Sequence, residues 1–299
     1  MNASFAESTA RQRIVGILDA ESFHEWLGPS ARVTSPHLAQ IGVPGAFDDG
    51  VAIGEGRLQG RRVFIAAQEG RFMGGGVGEV HGAKLVGLFR RALRDRPEAV
   101  LLLADSGGVR LQEANAGLIG VSEVMRALLD ARVAGVTVVV LIGGAFGCFG
   151  GMGILARCAD SVVMSDVSRM SMSGPEVIEA SNGVEEFDSR DRALVWRTTG
   201  GKHRYLIGDC DALVDDDAAH FRDAAAALLG VHRSSSLEGL EIEYAGLESR
   251  LVAYTTGDDA VDLWRQLGVE RASSVPDLEV EAVRALRPYA TAALAVGQG

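Results

Sequence analysis

Val63-Phe64-Ile65-Ala66-Ala67, then Met73-Gly74-Gly75-Gly76-Val77-Gly78, then an amphipathic stretch from Glu79 to Arg94: this segment decides the fold. A short apolar run, a glycine-rich break, and Leu85, Leu88, Phe89 and Leu93 on one helical face read as strand, turn and helix. The unit recurs with a period of roughly 40 residues, the mark of a repeated supersecondary element. Its second copy has Val100 to Ala104 as strand, Ser106-Gly107-Gly108 as turn and a helix within Gly117 to Ala134. The third runs from Val136 to Ile142 through Gly143-Gly144-Ala145-Phe146-Gly147-Cys148 into a short helix ending at Arg157, closed by a strand at Ser161 to Met164. Upstream, Val51 to Gly60 alternates and ends in Gln59-Gly60, a hairpin signal. Strands alternating with helices predict an α/β fold.

Downstream the pattern turns helical. Val214 to Leu229 reads as an alanine-rich helix with Asp215, Asp216 and Asp217 at its positive end. Ser234-Ser235-Ser236 suggests a linker, which divides the chain into a main domain at 1–233 and a C-terminal helical appendage at 234–299 without a chemical motif.

The chain has 299 residues, 47% of them hydrophobic and 23% charged, the balance of a globular protein rather than a disordered one. Its longest apolar run, from Val136 to Gly147, is too short to span a bilayer, and Met1 to Arg13 carries no apolar signal core, so a cytoplasmic location and no membrane partner are expected. A net charge of −11 disfavours nucleic acid. Arg90, Arg91, Arg94 and Arg96 are a local exception: they either complement a helix C-terminus or meet an anionic group. Cys148, Cys158 and Cys210 lack disulfide or metal-ligand spacing, and no histidine has a partner at such spacing, so no metal is expected.

Three familiar chemistries fail on their motifs. Gly74 to Gly78 lacks the spaced third glycine of a dinucleotide loop, no Gly-Lys-Ser/Thr forms a phosphate loop, and Ser106 lacks the first glycine of a nucleophile elbow. What remains is backbone chemistry. Glycine turns at strand-to-helix junctions let a carbonyl approach main-chain N–H groups, and two such turns can stabilise an enolate where its charge develops. The alternative is that these glycines serve only tight turns and close packing.

Arg71-Phe72-Met73-Gly74-Gly75-Gly76-Val77-Gly78-Glu79-Val80-His81-Gly82 and Asp105-Ser106-Gly107-Gly108-Val109-Arg110-Leu111-Gln112-Glu113 together resemble the paired signatures of acyl-CoA carboxyltransferases. Arg11-Gln12-Arg13-Ile14 with Leu18-Asp19 and Ser22-Phe23, Gly174-Pro175-Glu176-Val177-Ile178, and Gly200-Gly201 are similar to further landmarks of that family, so the likeness covers about residues 10 to 225. Acetyl-CoA carboxylase β subunits carry a four-cysteine zinc ribbon absent from this N-terminus, and propionyl-CoA types fuse a second homologous domain. The residues from Gly143 to Gly151 are similar to the β subunits of biotin-independent malonate decarboxylases.

That resemblance implies a crotonase-like ββα superhelix and a shared site with a homologous γ subunit. It implies a malonyl thioester on the phosphopantetheine-like arm of an acyl carrier protein, an α subunit that exchanges acyl groups on that carrier, and no biotin, metal or covalently bound cofactor. Carried over by position, the oxyanion amides are those of Gly107, Gly108, Gly147 and Cys148. Phe72, Met73, Gly74, Gly75 and Gly76 form the wall beside the arm, and Arg71 and Arg90 contact its phosphate. Arg110 and Glu113 read as a structural ion pair. A carboxyltransferase subunit of a biotin-dependent complex and a non-catalytic carrier-binding scaffold are the competing readings. A hydratase or isomerase would need glutamates in the turns, and neither turn has one.

Overall fold

The computed structural model of the protein describes residues 4–233, 236–253 and 259–287. Its centre is a seven-stranded sheet whose spatial order is the chain order. After helix α1 (Ala10–Ile17) the chain forms β1 (His24–Trp26), the short helix α2 (Pro36–Gln40), and then β2 (Val51–Leu58) and β3 (Arg61–Gln68). The last two pair as an antiparallel hairpin in register Leu58 to Arg61. Its turn, Gln59-Gly60, takes positive φ at both residues (51° and 76°), the twist that joins such strands without splaying them.

From β3 onward every step is parallel. Helix α3 (Glu79–Asp95) leads to β4 (Ala99–Ala104), α4 (Asn115–Val133) to β5 (Thr137–Ile142), and α5 (Gly151–Arg157) to β6 (Ser161–Ser165). These are the repeated units expected from sequence. Helices α6 (Pro175–Asn182), α7 (Arg192–Thr199) and α8 (Gly201–Leu206) precede the edge strand β7 (Ala212–Val214) and helix α9 (Ala218–Ala227). Sequence periodicity starts the alanine-rich helix at Val214, the last residue of β7. Val214 is in fact a strand residue, Asp217 alone caps α9 through the Ala219 and His220 N–H groups, and Asp216 instead accepts from Ser4 and Ala6.

β4 and β5 are buried throughout, which explains their uninterrupted apolar runs. Alternate residues serve two cores. Val100, Leu102 and Ala104 face a core shared with α3, α4 and α5, whereas Ala99, Leu101 and Leu103 face one shared with α1 and α9. Beyond residue 236 the described chain is helical: α10 (Leu237–Ala253), α11 (Ala260–Gln266), a 3-10 turn at Ala272–Asp277 and a helix over 280–287. Trp264, Val275 and Val283 pack there with Leu206 and Leu213 of the main body. No helix among the described residues is long and apolar enough to cross a membrane.

Candidate active site

Because β3, β4 and β5 run parallel, their glycine turns emerge at one edge of the sheet, and there they stack into a second ladder. Single parallel bridges join Val77 to Val109, Ser106 to Cys148 and Cys148 to Met170. Its rungs are short: Val77 N–H donates to Gly108 O at 2.9 Å, Ser106 N–H to Gly147 O at 2.7 Å and Phe149 N–H to Ser106 O at 2.9 Å. Each repeat is thus strand, one-rung strand and helix. Gly75, with φ +66°, sits where a side chain would run into the Asp105 carbonyl, so the Phe72–Gly76 wall lies directly against the second turn.

The ladder consumes the amides that sequence reading singles out. Gly107 N–H donates to Gly74 O at 2.8 Å, Gly147 N–H to Gly144 O at 3.1 Å and Cys148 N–H to Arg169 O at 2.9 Å. Gly108 N–H donates to Ser106 Oγ at 3.1 Å. An acyl oxygen would have to displace an internal acceptor to use any of the four. Two residues after Cys148 the chain leaves a consecutive pair of donors unspent. Gly150 and Gly151 N–H have no acceptor among the described residues, because the ladder ends at Phe149 and the first intrahelical bonds start with Met152 and Gly153, which both donate to Phe149 O. Gly150 adopts φ 58° and ψ −137°, open in practice only to glycine, and a Cβ there would meet Gly108 Cα at 3.2 Å. Gly107 is exposed, and Gly150 and Gly151 are half-buried, so the two turns form facing lips of one mouth. Phe146, itself exposed, stands beside Gly74 and Gly70 at the same opening.

Two buried charge networks fix this edge. Arg110, fully enclosed, bonds Asp49 Oδ2 at 2.9 Å and Glu113 Oε1 at 2.6 Å, and its guanidinium lies over the Phe72 ring. The ion pair expected for Arg110 and Glu113 is therefore present. Glu113 Oε2 accepts from Glu79 N–H at the start of α3, and Asp49 Oδ2 from His81 N–H. In the second network Asp105, at the end of β4, accepts from Arg13 at 2.8 Å and from Phe146 N–H at 2.8 Å, tying α1 to the third turn. Burial raises the Asp105 carboxyl, and Arg13 partly offsets that.

His81 bridges the two networks. Its Nδ1–H donates to Asp49 O, its Nε2 accepts from Gln68 Nε2, and Gln68 Oε1 accepts from Asp105 N–H. Burial pushes His81 down to about 3, so it is neutral and spent as a structural link at neutral pH. Cys148 is fully buried, and burial, with Asp105 nearby, drives its thiol well above the usual range, the opposite of an activated nucleophile.

The two arginines proposed as phosphate contacts lie apart. Arg71 is exposed at the rim and donates to Glu7 O at 2.8 Å. Arg90 lies eleven positions into α3, about 16 Å along the axis from its first residue, where it faces Glu123 across α3 and α4. Its neighbours are not a free cationic cluster: Arg91 stacks on Trp26, Arg94 pairs with Asp95, and Arg96 bonds Ala134 O. Sequence reasoning did not single out the open N–H groups of Gly150 and Gly151, although the Gly-Gly pair was visible. It also missed Asp49, Asp105, Arg13 and Gln68, whose partners include side chains 13 to 92 residues away. Among the described residues no three His, Cys, Asp or Glu side chains cluster as a metal site.

Residues 3–234 match the carboxyl transferase domain family. The chain is 40% identical over 302 residues to the malonyl-S-ACP:biotin-protein carboxyltransferase MADC of Malonomonas rubra, covering 93% of both chains. It is 31% identical to the propionyl-CoA carboxylase beta chain of Saccharopolyspora erythraea, covering 79% of this chain and 42% of that one. A chain of the Pseudomonas malonate decarboxylase hetero-tetramer, solved with malonate, superposes with a TM-score of 0.81 at 39% identity over 87% of this chain and 95% of that one.

Proposed function

The chain belongs to the carboxyl transferase domain family, and from that premise we propose that it is the β-type subunit of a malonate decarboxylase, acting in the cytoplasm on a malonyl thioester carried by an acyl carrier protein. The observation that carries the reading is the pair of N–H groups at Gly150 and Gly151, without an acceptor among the described residues and held at an exposed mouth beside the Gly107, Gly108, Gly147 and Cys148 amides, which donate internally. Their chemistry suits a thioester oxygen. As the carboxylate leaves as CO2, the electron pair of the broken C–C bond flows onto that oxygen as an enolate, and protonation at carbon gives the acetyl thioester. A donor aimed at the developing charge contributes roughly 3 kcal/mol in sites of this kind. Gly107 and Gly108 form the facing lip, Gly147 and Cys148 the ladder beneath, and Phe72 to Gly76 with Arg71 the wall along which the carrier's arm lies. Arg90, being remote, serves the outer surface of α3.

The C-terminal residues from 234 act as an appendage to this catalytic domain. The kinship with a subunit of a hetero-tetramer supports a heteromeric assembly in which a homologous subunit completes the site, the carrier delivers the acyl arm and a separate transferase subunit reloads it. A second reading has a specific ground: the Malonomonas rubra relative is named for a biotin-protein acceptor. In that reading the carboxyl group passes to biotin on another chain, and the same enolate is formed.

Release of CO2 from malonyl-CoA, standing in for the malonyl carrier, should be measured with this chain, its homologous partner subunit, and both, with and without avidin. Avidin-resistant release that requires both chains supports the decarboxylase. Avidin-sensitive release assigns the chain to the biotin-dependent reading, and no release from the malonyl carrier itself removes both.

A further inference from the structure

Helix α10 is mounted with its apolar stripe outward. Leu237, Leu240, Tyr244, Leu247 and Leu251 follow an alternating three-and-four spacing, the seam of a coiled coil. Every one is exposed, at 73%, 56%, 65%, 49% and 72%. The side that rests on the body is built from small and charged residues instead: Gly239, Gly246, Ser249 and Arg250 are the half-buried positions. Glu243 reaches Arg157 at 3.9 Å and Arg250 reaches Asp209 at 3.8 Å, so polar contacts hold the helix in this orientation. A surface helix ordinarily buries its apolar stripe, and five large apolar side chains in one exposed seam mark a binding face. Leu240, Tyr244 and Leu247 already line a shallow groove of about 460 Å³ with Glu241 and Glu243.

We infer that this seam receives an amphipathic helix of a different subunit, one that carries an apolar heptad stripe flanked by lysine or arginine. The flanking charges select that occupant. In heptad terms Glu241 and Glu248 lie on the open side of the seam, and Glu243 and Arg250 on the side toward the body. A second copy of this chain would bring Glu241 and Glu248 against their like if antiparallel, or Glu248 against Glu243 if parallel, whereas a basic-flanked helix pairs with them. The seam also lies outside residues 3–234, the span matched by the catalytic family, so it is an addition to the carboxyltransferase unit rather than part of it. The inference does not depend on which acyl group the site decarboxylates.

Two labelled three-heptad peptides test it against the full chain by fluorescence anisotropy, both with leucine at the seam positions, one flanked by lysine and one by glutamate. The lysine peptide is expected to bind saturably and the glutamate peptide not. In Leu240→Asp/Leu247→Asp, more acidic yet lacking the seam, affinity for the lysine peptide should fall at least tenfold; diffuse attraction to an acidic protein would instead strengthen it. Glu241→Lys/Glu248→Lys keeps the apolar seam and should exchange the peptide preference, which guards against a variant that merely unravels the helix. Equal binding of both peptides, or no effect of either pair of substitutions, overturns the inference. So does a homodimer in sedimentation that Leu240→Asp/Leu247→Asp dissolves, or peptide binding that emerges only after residues 288–299 are deleted, since the seam would then belong to a second copy or to this chain.

Discussion

Gly150→Ala separates a donor site from a packing turn, because its two costs differ in kind. Alanine at φ 58° and ψ −137° is strained, and its Cβ would press on Gly108 Cα at 3.2 Å, a few tenths of an ångström too close. Strain of this sort costs about 1–3 kcal/mol of stability while the backbone stays as it is. The chain relieves it by rotating the peptides on either side of residue 150, which turns the Gly150 and Gly151 N–H groups out of the mouth. Losing one oxyanion donor lowers kcat roughly 100- to 1,000-fold. Gly107→Ala is the control: its Cβ would meet only Gly74 O, at 3.5 Å, and its φ needs no glycine. It adds a methyl group at the rim, so a rise in KM with little change in kcat is expected. The assay is CO2 release by the assembled complex from malonyl thioester under saturation, beside thermal unfolding of each variant. A Gly150→Ala protein whose thermal unfolding is nearly unchanged, the strain having been relieved by rotation, yet whose kcat stays within about threefold would refute the donor role, since 3 kcal/mol corresponds to more than 100-fold.

Arg110→Met leaves Asp49 and Glu113 buried without their cation, and should cost about 3–5 kcal/mol, read as a fall in the urea midpoint at constant m. The two buried histidines set an acid limit. Burial pushes His81 and His203 down to about 3, while an unfolded histidine titrates near 6.5. The unfolded chain therefore takes up protons first, so their contribution is complete above about pH 6.5 and is lost as pH falls toward 3, at about 1.4 kcal/mol per pH unit for each. Urea midpoints between pH 6 and 5 should fall less steeply in His203→Asn; an unchanged slope would show that His203 is accessible to protons in the fold. Cys148→Ala should keep kcat within about threefold, and the Cys148 thiol should resist alkylation in the folded protein, because the residue offers the ladder its backbone and no thiolate; loss of turnover in a folded variant would restore the nucleophile.

How far the sequence could be read follows from the range of the interactions. Strands β2 to β6, the three glycine turns and helices α3 and α4 were legible because each rests on a local signal: an apolar run, a break or a periodicity, whereas the three-residue β1 carried none. β7 was not, since three residues, Ala212 to Val214, carry too little pattern to stand out beside an alanine-rich helix. The buried networks were illegible for another reason. Asp105 meets Arg13 across 92 residues and Arg110 meets Asp49 across 61, and nothing local marks a charge that will be enclosed. The outward seam of α10 is the converse case: its heptad spacing stands in the sequence, but only the fold tells which face is covered.

The choice of donor shows why a motif does not assign its own atoms. Glycines in a signature were read as amides open to a ligand, yet the freedom that lets a substrate approach also lets the neighbouring turn approach, and here the turns took it. Gly107, Cys148 and Gly147 give their N–H groups to the polypeptide because the stacked repeats must satisfy buried backbone. Where the ladder stops, one residue beyond Phe149, and before the helix begins its own bonding, Gly150 and Gly151 keep N–H groups that have no acceptor among the described residues. Those positions follow from topology, from the point at which two regular bonding schemes fail to overlap. The buried Asp105 and Arg110 networks hold that gap in place by fixing both lips to elements distant in sequence. Removing one of their charges should therefore disturb turnover through the geometry of the Gly150–Gly151 peptide as well as through stability.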